Sequence, residues 1–256
     1  MGGNERKVVI LQDRDLRLLR ELAVMRVIDR EQAKVVAGFG STTRANARLH
    51  ALTEAKFLRR FYWGTVGGAR KAIYSLAPRG AEAAGVPHRR PRRGQDQVLA
   101  MDAFTAHQLE VNEIYCTLKH RPLPEGVRLI RWLGFFDSIY PALTPDGYAE
   151  IATGDTVLAF FIELDRGTES REVWRAKVQT YFAYAVSGNF ARTFGQAQFK
   201  TLVVVPSESR LKSLRSVTAG LTDKIFRFTT KDRIEGESLW GTIWQKAEGS
   251  ERYRLM

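Results

Sequence analysis

The sequence predicts an α+β chain in two parts: a small basic domain of three helices closed by a β-hairpin, and a larger domain whose mixed sheet is flanked by helices. Three observations carry this. Apolar residues recur at helical spacing behind capping residues throughout the first 55 positions. Two strand-prone runs with a glycine-rich stretch between them come next. Beyond residue 97 the order of periodic segments is αβββαβαβ, which builds a mixed sheet with helices packed on it.

The 256 residues are 44% hydrophobic, enough for one large domain or two ordinary ones. The longest apolar runs, 157–162 and 202–205, fall well short of the roughly 20 residues a membrane helix needs. The N-terminus has no apolar signal core, so a cytoplasmic protein is expected. The single cysteine, Cys116, lies in a stretch with helical apolar spacing and reads as a buried free thiol. No Ser, His and Cys placement suggests a nucleophilic triad, and no glycine loop leads into Lys-Ser/Thr, which argues against hydrolase and NTPase classes. The formal charge of +12 is concentrated: residues 1–96 hold 20 Lys/Arg against 9 Asp/Glu, and the remainder is nearly balanced. A polyanionic partner for the first domain follows.

Asp13 can cap a helix over 13–25 with Leu16, Leu19, Leu22, Ala23 and Val27 inward and Arg14, Arg17 and Arg20 outward. Asp29 can cap a second helix over 30–37, stopped by Gly38-Phe39-Gly40. Ser41 then caps a third, 42–55, whose inward stripe is Ala45, Leu49 and Leu52. Thr42, Thr43, Arg44, Asn46, Arg48 and His50 are left to point elsewhere. Helix, tight turn and a third helix rich in Thr, Arg and Asn is the helix-turn-helix arrangement, in which the third helix meets base edges in the major groove. Residues 56–63 and 70–76 are strand-prone around a turn at 64–68, a hairpin whose Arg59, Arg60, Arg70 and Lys71 suit the phosphate backbone. "STTRANARLHALTEAKFLRR" followed by "KAIYSLAPRGAEAAG" resembles winged-helix regulators. A domain over 1–87 and a basic linker over 88–96, which can itself touch phosphates, are expected.

The second domain, 97–256, opens with a long helix over 97–119. Strands at 128–133, 144–151 and 156–165 follow, then helix 171–187, strand 199–205, helix 207–221 and strand 225–228. Asp146, Glu163 and Asp165 are acidic residues placed where strands should be buried. Glu163 and Asp165, two apart on one strand, share a face. With Asp146 from the neighbouring strand they form a candidate site for Mg²⁺ or Mn²⁺, hard ions that prefer oxygen ligands and can activate water against a phosphodiester. Glu110 or Glu113 on the long helix could add an outer ligand, although charged residues more commonly take solvent-facing positions.

Pro-Asp, then Glu-x-Asp closing the third strand, then helix and strand, resembles the PD-(D/E)xK nuclease fold. Asp165 stands where that family has its lysine. Lys177 on the following helix could supply the amine instead, with Gln179 and Tyr181 nearby, which would make Glu163 and Lys177 the catalytic candidates. "LQDRDLRLLRELAVMRVIDREQA", "LTPDGYAEI" and "FFIELDRGTESREVWRAKVQTYFAY" together resemble the replication-relaxation family of bacterial mobile elements. Its characteristic block falls on Pro145, Asp146, Glu163, Asp165, Gly167, Thr168, Glu169, Lys177 and Tyr181. The resemblance implies a DNA-associated role in replication, mobilisation or regulation of a plasmid or similar element. The leading expectation is a double-stranded DNA-binding protein whose nuclease-like domain is vestigial or serves assembly. A metal-dependent endonuclease or nickase is one alternative. An adaptor recruiting a relaxase or replication protein through Tyr181, Phe182, Tyr184, Trp240 and Trp244 is another, though those aromatics also suit core packing. A homodimer on two half-sites is compatible with all of this, and no seam for it is evident.

Overall fold

The computed structural model describes residues 9–64, 70–88, 98–99, 103–135 and 137–256. It confirms an α+β chain and divides it into two compact units, 1–121 and 122–256.

In the first unit α1 (Asp13–Met25) opens with a capping box. The N-cap is Gln12, one residue before the expected Asp13, and its amide donates to Asp15 Oδ2 at 2.7 Å. Leu18, Leu19, Leu22 and Met25 are buried. A short strand, β1 (Val27–Asp29), leads into α2 (Arg30–Ala37), where Asp29 accepts from the Gln32 amide at 2.8 Å. Gly38, at φ +67°, ends that helix in the left-handed region that glycine tolerates. Ser41 caps α3 (Thr42–Glu54), accepting from the Arg44 amide. β2 (Leu58–Gly64) and β3 (Arg70–Leu76) pair antiparallel from Leu58↔Leu76 to Gly64↔Arg70. The hairpin turn expected at 64–68 lies, beyond Gly64, outside the described residues.

Beyond the hairpin comes α4 (Pro78–Ala84), whose Gly80 sits against the chain before β2. A Cβ there would come within 2.1 Å of the Phe57 carbonyl oxygen, so the Pro-x-Gly start of the helix is a packing requirement. The sheet runs β1-β3-β2-β4, with β4 (Val98–Leu99) parallel to β2. All but His88 of the expected linker, 88–96, lies outside the described residues.

The helix α5 (Ala103–Lys119), expected to open the second domain, lies within the first compact unit. Polar side chains that no periodicity analysis identifies hold it there. Asn112 Nδ2 donates to the carbonyls of Met25 (3.1 Å) and Val27 (2.6 Å), and Gln32 Nε2 donates to the Leu109 carbonyl at 2.7 Å. Leu109 packs with Val27, Phe61 and Ile73. Glu21, buried on α1, accepts from Tyr115 OH at 2.6 Å and from Lys119 Nζ at 2.7 Å, with His120 Nε2 at 3.5 Å. Cys116 is free and buried, as expected, and burial pushes its thiol up to about 12.

In the second unit β5 (Val127–Leu133), β6 (Gly147–Thr153) and β7 (Thr156–Leu164) form an antiparallel meander. α6 (Arg171–Val186) and α7 (Asn189–Phe194) then cross to β8 (Lys200–Val205), parallel to β7. α8 (Glu208–Ala219) crosses to β9 (Phe226–Thr230), parallel to β8, and α9 (Lys231–Glu237) follows. The order β5-β6-β7-β8-β9 makes the mixed sheet that the sequence predicts. Trp174, Tyr181 and Tyr184 on α6 pack against Phe161, Phe199, Phe226 and Phe228 of the sheet side. Trp174 Nε1 finds Thr218 Oγ1 at 2.9 Å, so the indole is buried without losing its hydrogen bond. Of the aromatics that suit either an interface or the core, Tyr181, Tyr184 and Trp244 are core, while Phe182 is 48% exposed. No described helix is long and apolar enough to cross a membrane.

The Glu21 network gives a first prediction. Burial opposes the charge, but hydrogen bonds from His120, Lys119 and Tyr115 prevail and hold the carboxyl down at about 2. Its contribution is therefore complete above the ordinary range near 4.5 and is lost as pH falls from there towards 2. Glu21→Ala leaves Lys119 and Tyr115 without their acceptor and is expected to cost about 3 kcal/mol. Hydrogen exchange should show α5 amides losing protection in this variant, and unchanged protection would remove Glu21 as the anchor.

Candidate nucleic-acid interface and buried acid cluster

On α3 the inward stripe consists of Ala45, Leu49, Leu52 and Thr53, all buried. Thr43, Arg44, Asn46 and His50 are exposed on the opposite side, and Thr42 and Ser41 are half-buried at its start. Thr43, Asn46 and His50, at i, i+3 and i+7, share one exposed face, and Arg44 projects about 100° round the helix from Thr43, so a hydroxyl, an amide, an imidazole and a guanidinium offer donors and acceptors to solvent. Thr42 Oγ1 already accepts from Lys34 Nζ at 3.2 Å, tying the start of α3 to α2.

Arg48 departs from expectation. Its guanidinium donates to both oxygens of Asp15, Nε at 3.0 Å and Nη2 at 2.5 Å, and Nη2 also reaches the Ile10 carbonyl at 2.7 Å. Asp15 is fully buried on α1, so Arg48 neutralises an internal charge and locks α3 to α1. It is not a free base-contacting side chain. Lys71 likewise pairs with Asp29 at 2.6 Å, although its amine remains partly exposed at the hairpin edge. Arg70 is exposed beside it, and Arg59 is half-buried in a hollow it lines with Lys56 and Arg79. Arg60 lies over the Tyr62 ring at 5.3 Å. The structure thus leaves Thr43, Arg44, Asn46 and His50 on the helix, and Arg59, Arg60, Arg70 and Lys71 on the hairpin, reachable from solvent. Residues 1–121 carry 22 Lys/Arg against 12 Asp/Glu, and 122–256 carry 18 against 16.

In the second unit Glu163, near the end of β7, is buried at 3% exposure. Its Oε1 accepts from Tyr181 OH at 2.5 Å and its Oε2 from Lys177 Nζ at 3.0 Å, two side chains one turn apart on α6. Lys177 also donates to Glu169 Oε1 at 2.9 Å. The structure thus brings Glu163, Lys177 and Tyr181 into direct contact. Asp165 is engaged elsewhere: Arg210, in the first turn of α8, donates to Oδ1 from Nε at 2.8 Å and to Oδ2 from Nη2 at 2.6 Å. The Gly167 amide adds a bond to Oδ1 at 2.6 Å, with Gly167 at φ +80°. Asp146 precedes β6, and its Oδ2 accepts from the Leu164 amide at 2.7 Å.

These bonds decide the expected metal site. A divalent ion needs carboxylate oxygens converging on one point with lone pairs to spare. Here Asp165 is matched to a bidentate guanidinium, and both oxygens of Glu163 face donors. Among the described residues no group of three or more His, Cys, Asp or Glu is placed to hold a metal ion. Asp146, Glu163 and Asp165 as arranged do not fit a Mg²⁺ or Mn²⁺ centre. Glu113 and Glu110, the suggested outer ligands, lie on α5 in the first unit, and Glu113 is ion-paired with Arg121. Sequence reasoning misses Arg210 because its partner lies 45 positions earlier; only the parallel pairing of β7 and β8 brings the two together.

Burial and the nearby negative charge of Asp146 outweigh Lys177 and Tyr181, and push the Glu163 carboxyl up to about 7. Burial opposes the charge on Lys177, but Glu163 and Glu169 hold its ammonium above the ordinary lysine value. A carboxyl raised in the folded state binds its proton more tightly there than when unfolded. Stability is therefore expected to decline as pH rises from about 4.5 to about 7, and Glu163→Gln should flatten that decline in a pH series of urea midpoints. A Glu163 carboxyl titrating below about 5 by carbon NMR would overturn this account. Asp165→Asn strands Arg210 and is expected to cost about 3 kcal/mol, read in the same urea series; an unchanged midpoint would count against the pair as a structural tie.

Comparison with known proteins gives one family. The replication-relaxation model matches residues 16–198, from α1 to the last residues before β8. Curated proteins and solved structures show no match. The matched stretch contains the exposed face of α3, the hairpin and the Glu163, Lys177 and Tyr181 cluster, and covers well over half of the sequence: the chain belongs to the replication-relaxation family.

Proposed function

We propose that this chain binds double-stranded DNA through α3 and the β2–β3 hairpin, and that it serves replication or relaxation of a plasmid or other mobile element. The exposed residues Thr43, Arg44, Asn46 and His50 on α3 carry the proposal. A helix lying in the major groove turns such exposed side chains to base edges and flanking phosphates, where Asn suits adenine and Arg suits guanine. Three further features support it: helix, turn and helix followed by a two-stranded hairpin, the order of a winged helix-turn-helix; the arginines on the hairpin, which suit phosphates; and the excess of positive charge in 1–121. Family membership supports the replicative setting. The acid cluster of the second unit is read as a structural core element of a nuclease-like sheet.

Fluorescence anisotropy with labelled duplexes tests this. Binding should weaken steeply with salt. Arg44→Ala and Asn46→Ala should each cost about 1–3 kcal/mol on a preferred site and less on random duplex. Arg59→Ala should weaken binding equally on all duplexes. Arg48→Ala should instead lower the thermal midpoint, because Asp15 is left buried and unpaired. Salt-insensitive or absent binding would sink the proposal. Plasmid nicking with Mg²⁺ that disappears in both Asp146→Ala and Glu163→Ala would replace it with a nuclease.

A further inference from the structure

At the end of the sheet opposite the acid cluster, a cleft of about 420 Å³ opens where β8 and β9 begin. Lys200 is the first residue of β8, Lys224 and Arg227 flank the start of β9, and Lys246 comes from the segment bridged to β9 through Phe228 and Gln245. Four cations thus line one cleft in a unit that is otherwise nearly balanced in charge. Asp223 is its one acidic lining residue among those described.

The cations are placed rather than paired. Arg227 Nη1 donates to the Phe226 carbonyl at 2.7 Å and the Lys224 carbonyl at 3.2 Å, which fixes the guanidinium without neutralising it. Lys246 Nζ lies 5.2 Å from the centre of the Tyr253 ring. Half-buried Lys200 has no carboxylate within ion-pair distance among the described residues. Burial together with Arg227 and Lys246 depresses the Lys200 ammonium below its ordinary value, and Arg227 is depressed chiefly by burial. Like charges held this close cost stability unless an anion joins them.

We infer that this cleft is a second DNA-binding site, in which Lys200, Arg227 and Lys246 hold phosphate groups of the duplex backbone. Backbone fits better than a free nucleotide. The aromatic residues that line the cleft, Phe190 and Phe199, are buried in the core and stack on other rings, so they present no open face for a base. Phosphate binding of this kind adds affinity without reading sequence. The inference rests on the DNA-binding proposal above and adds the second unit to it.

The test is a salt titration of random-sequence duplex binding by the full chain, comparing wild type, Lys200→Gln/Lys246→Gln, Arg44→Ala, and Lys212→Gln as a control on exposed α8 charge. The double variant should reduce the slope of log K against log salt by about 0.9 for each phosphate it no longer neutralises, and weaken binding several-fold. Lys212→Gln should leave the slope near its wild-type value. Thermal midpoints check folding, and relief of repulsion should leave the double variant at least as stable as wild type. If wild type binds and Arg44→Ala weakens it while the double variant is unchanged, the cleft inference is overturned and the α3 proposal stands. If wild type binds no duplex, both fall. In that event stabilisation by inorganic pyrophosphate, present in wild type and absent in the double variant, would reassign the cleft to a free phosphate-bearing molecule.

Discussion

A carboxylate withdrawn from water must be met by a cation or by several donors, or the fold bears its full desolvation cost. This chain buries at least four in that way, and each is met from a different element. Asp15 on α1 takes Arg48 of α3. Glu21 on α1 takes Lys119 and Tyr115 of α5. Glu163 on β7 takes Lys177 and Tyr181 of α6, and Asp165 takes Arg210 of α8. Apolar packing brings these elements together but tolerates many registers. A buried ion pair with bidentate or doubled hydrogen bonds tolerates very few, so the four pairs set which helix faces which and at what height.

The same constraint explains what is legible in the sequence. The bounds of α1, α2 and α3 follow from periodicity and local caps, and they emerge within a residue or so because both signals act over three or four positions. Asp146, Glu163, Lys177 and Tyr181 are legible as a group through the family resemblance, because all four stand in the motif that carries it. The fates of Arg48 and Asp165 are not legible. Each reads locally as a free functional group, and each is consumed by a partner 33 or 45 positions away that no local pattern names. Ownership of α5 is hidden for a related reason. Asn112 and Gln32 decide it through backbone carbonyls, and such bonds leave no trace in hydrophobic spacing. The short β1, β4, α7 and α9 go unannounced because two to seven residues carry too little period to register.

Charge in the second unit is sorted by sheet polarity. Where β7 ends and β8 leads into α8, acids and bases are interleaved and cancel. Where β8 and β9 begin, positive groups gather almost unopposed. In a parallel arrangement the two ends are chemically distinct surfaces, joined by strands only five to nine residues long. One end can be rigid and internally satisfied while the other stays open to a polyanion.

The division of labour on α3 bears on how such a protein changes over time. Position 48 belongs to the scaffold, and 45, 49 and 52 to the core. Positions 43, 44, 46 and 50 face solvent, away from the packed stripe. On the DNA-binding reading, lineages can therefore explore new target sequences at those four sites with little penalty in foldedness. A mobile element that enters a new host meets a new set of competing sequences, and a reader whose letters are uncoupled from its frame can follow it there by single substitutions.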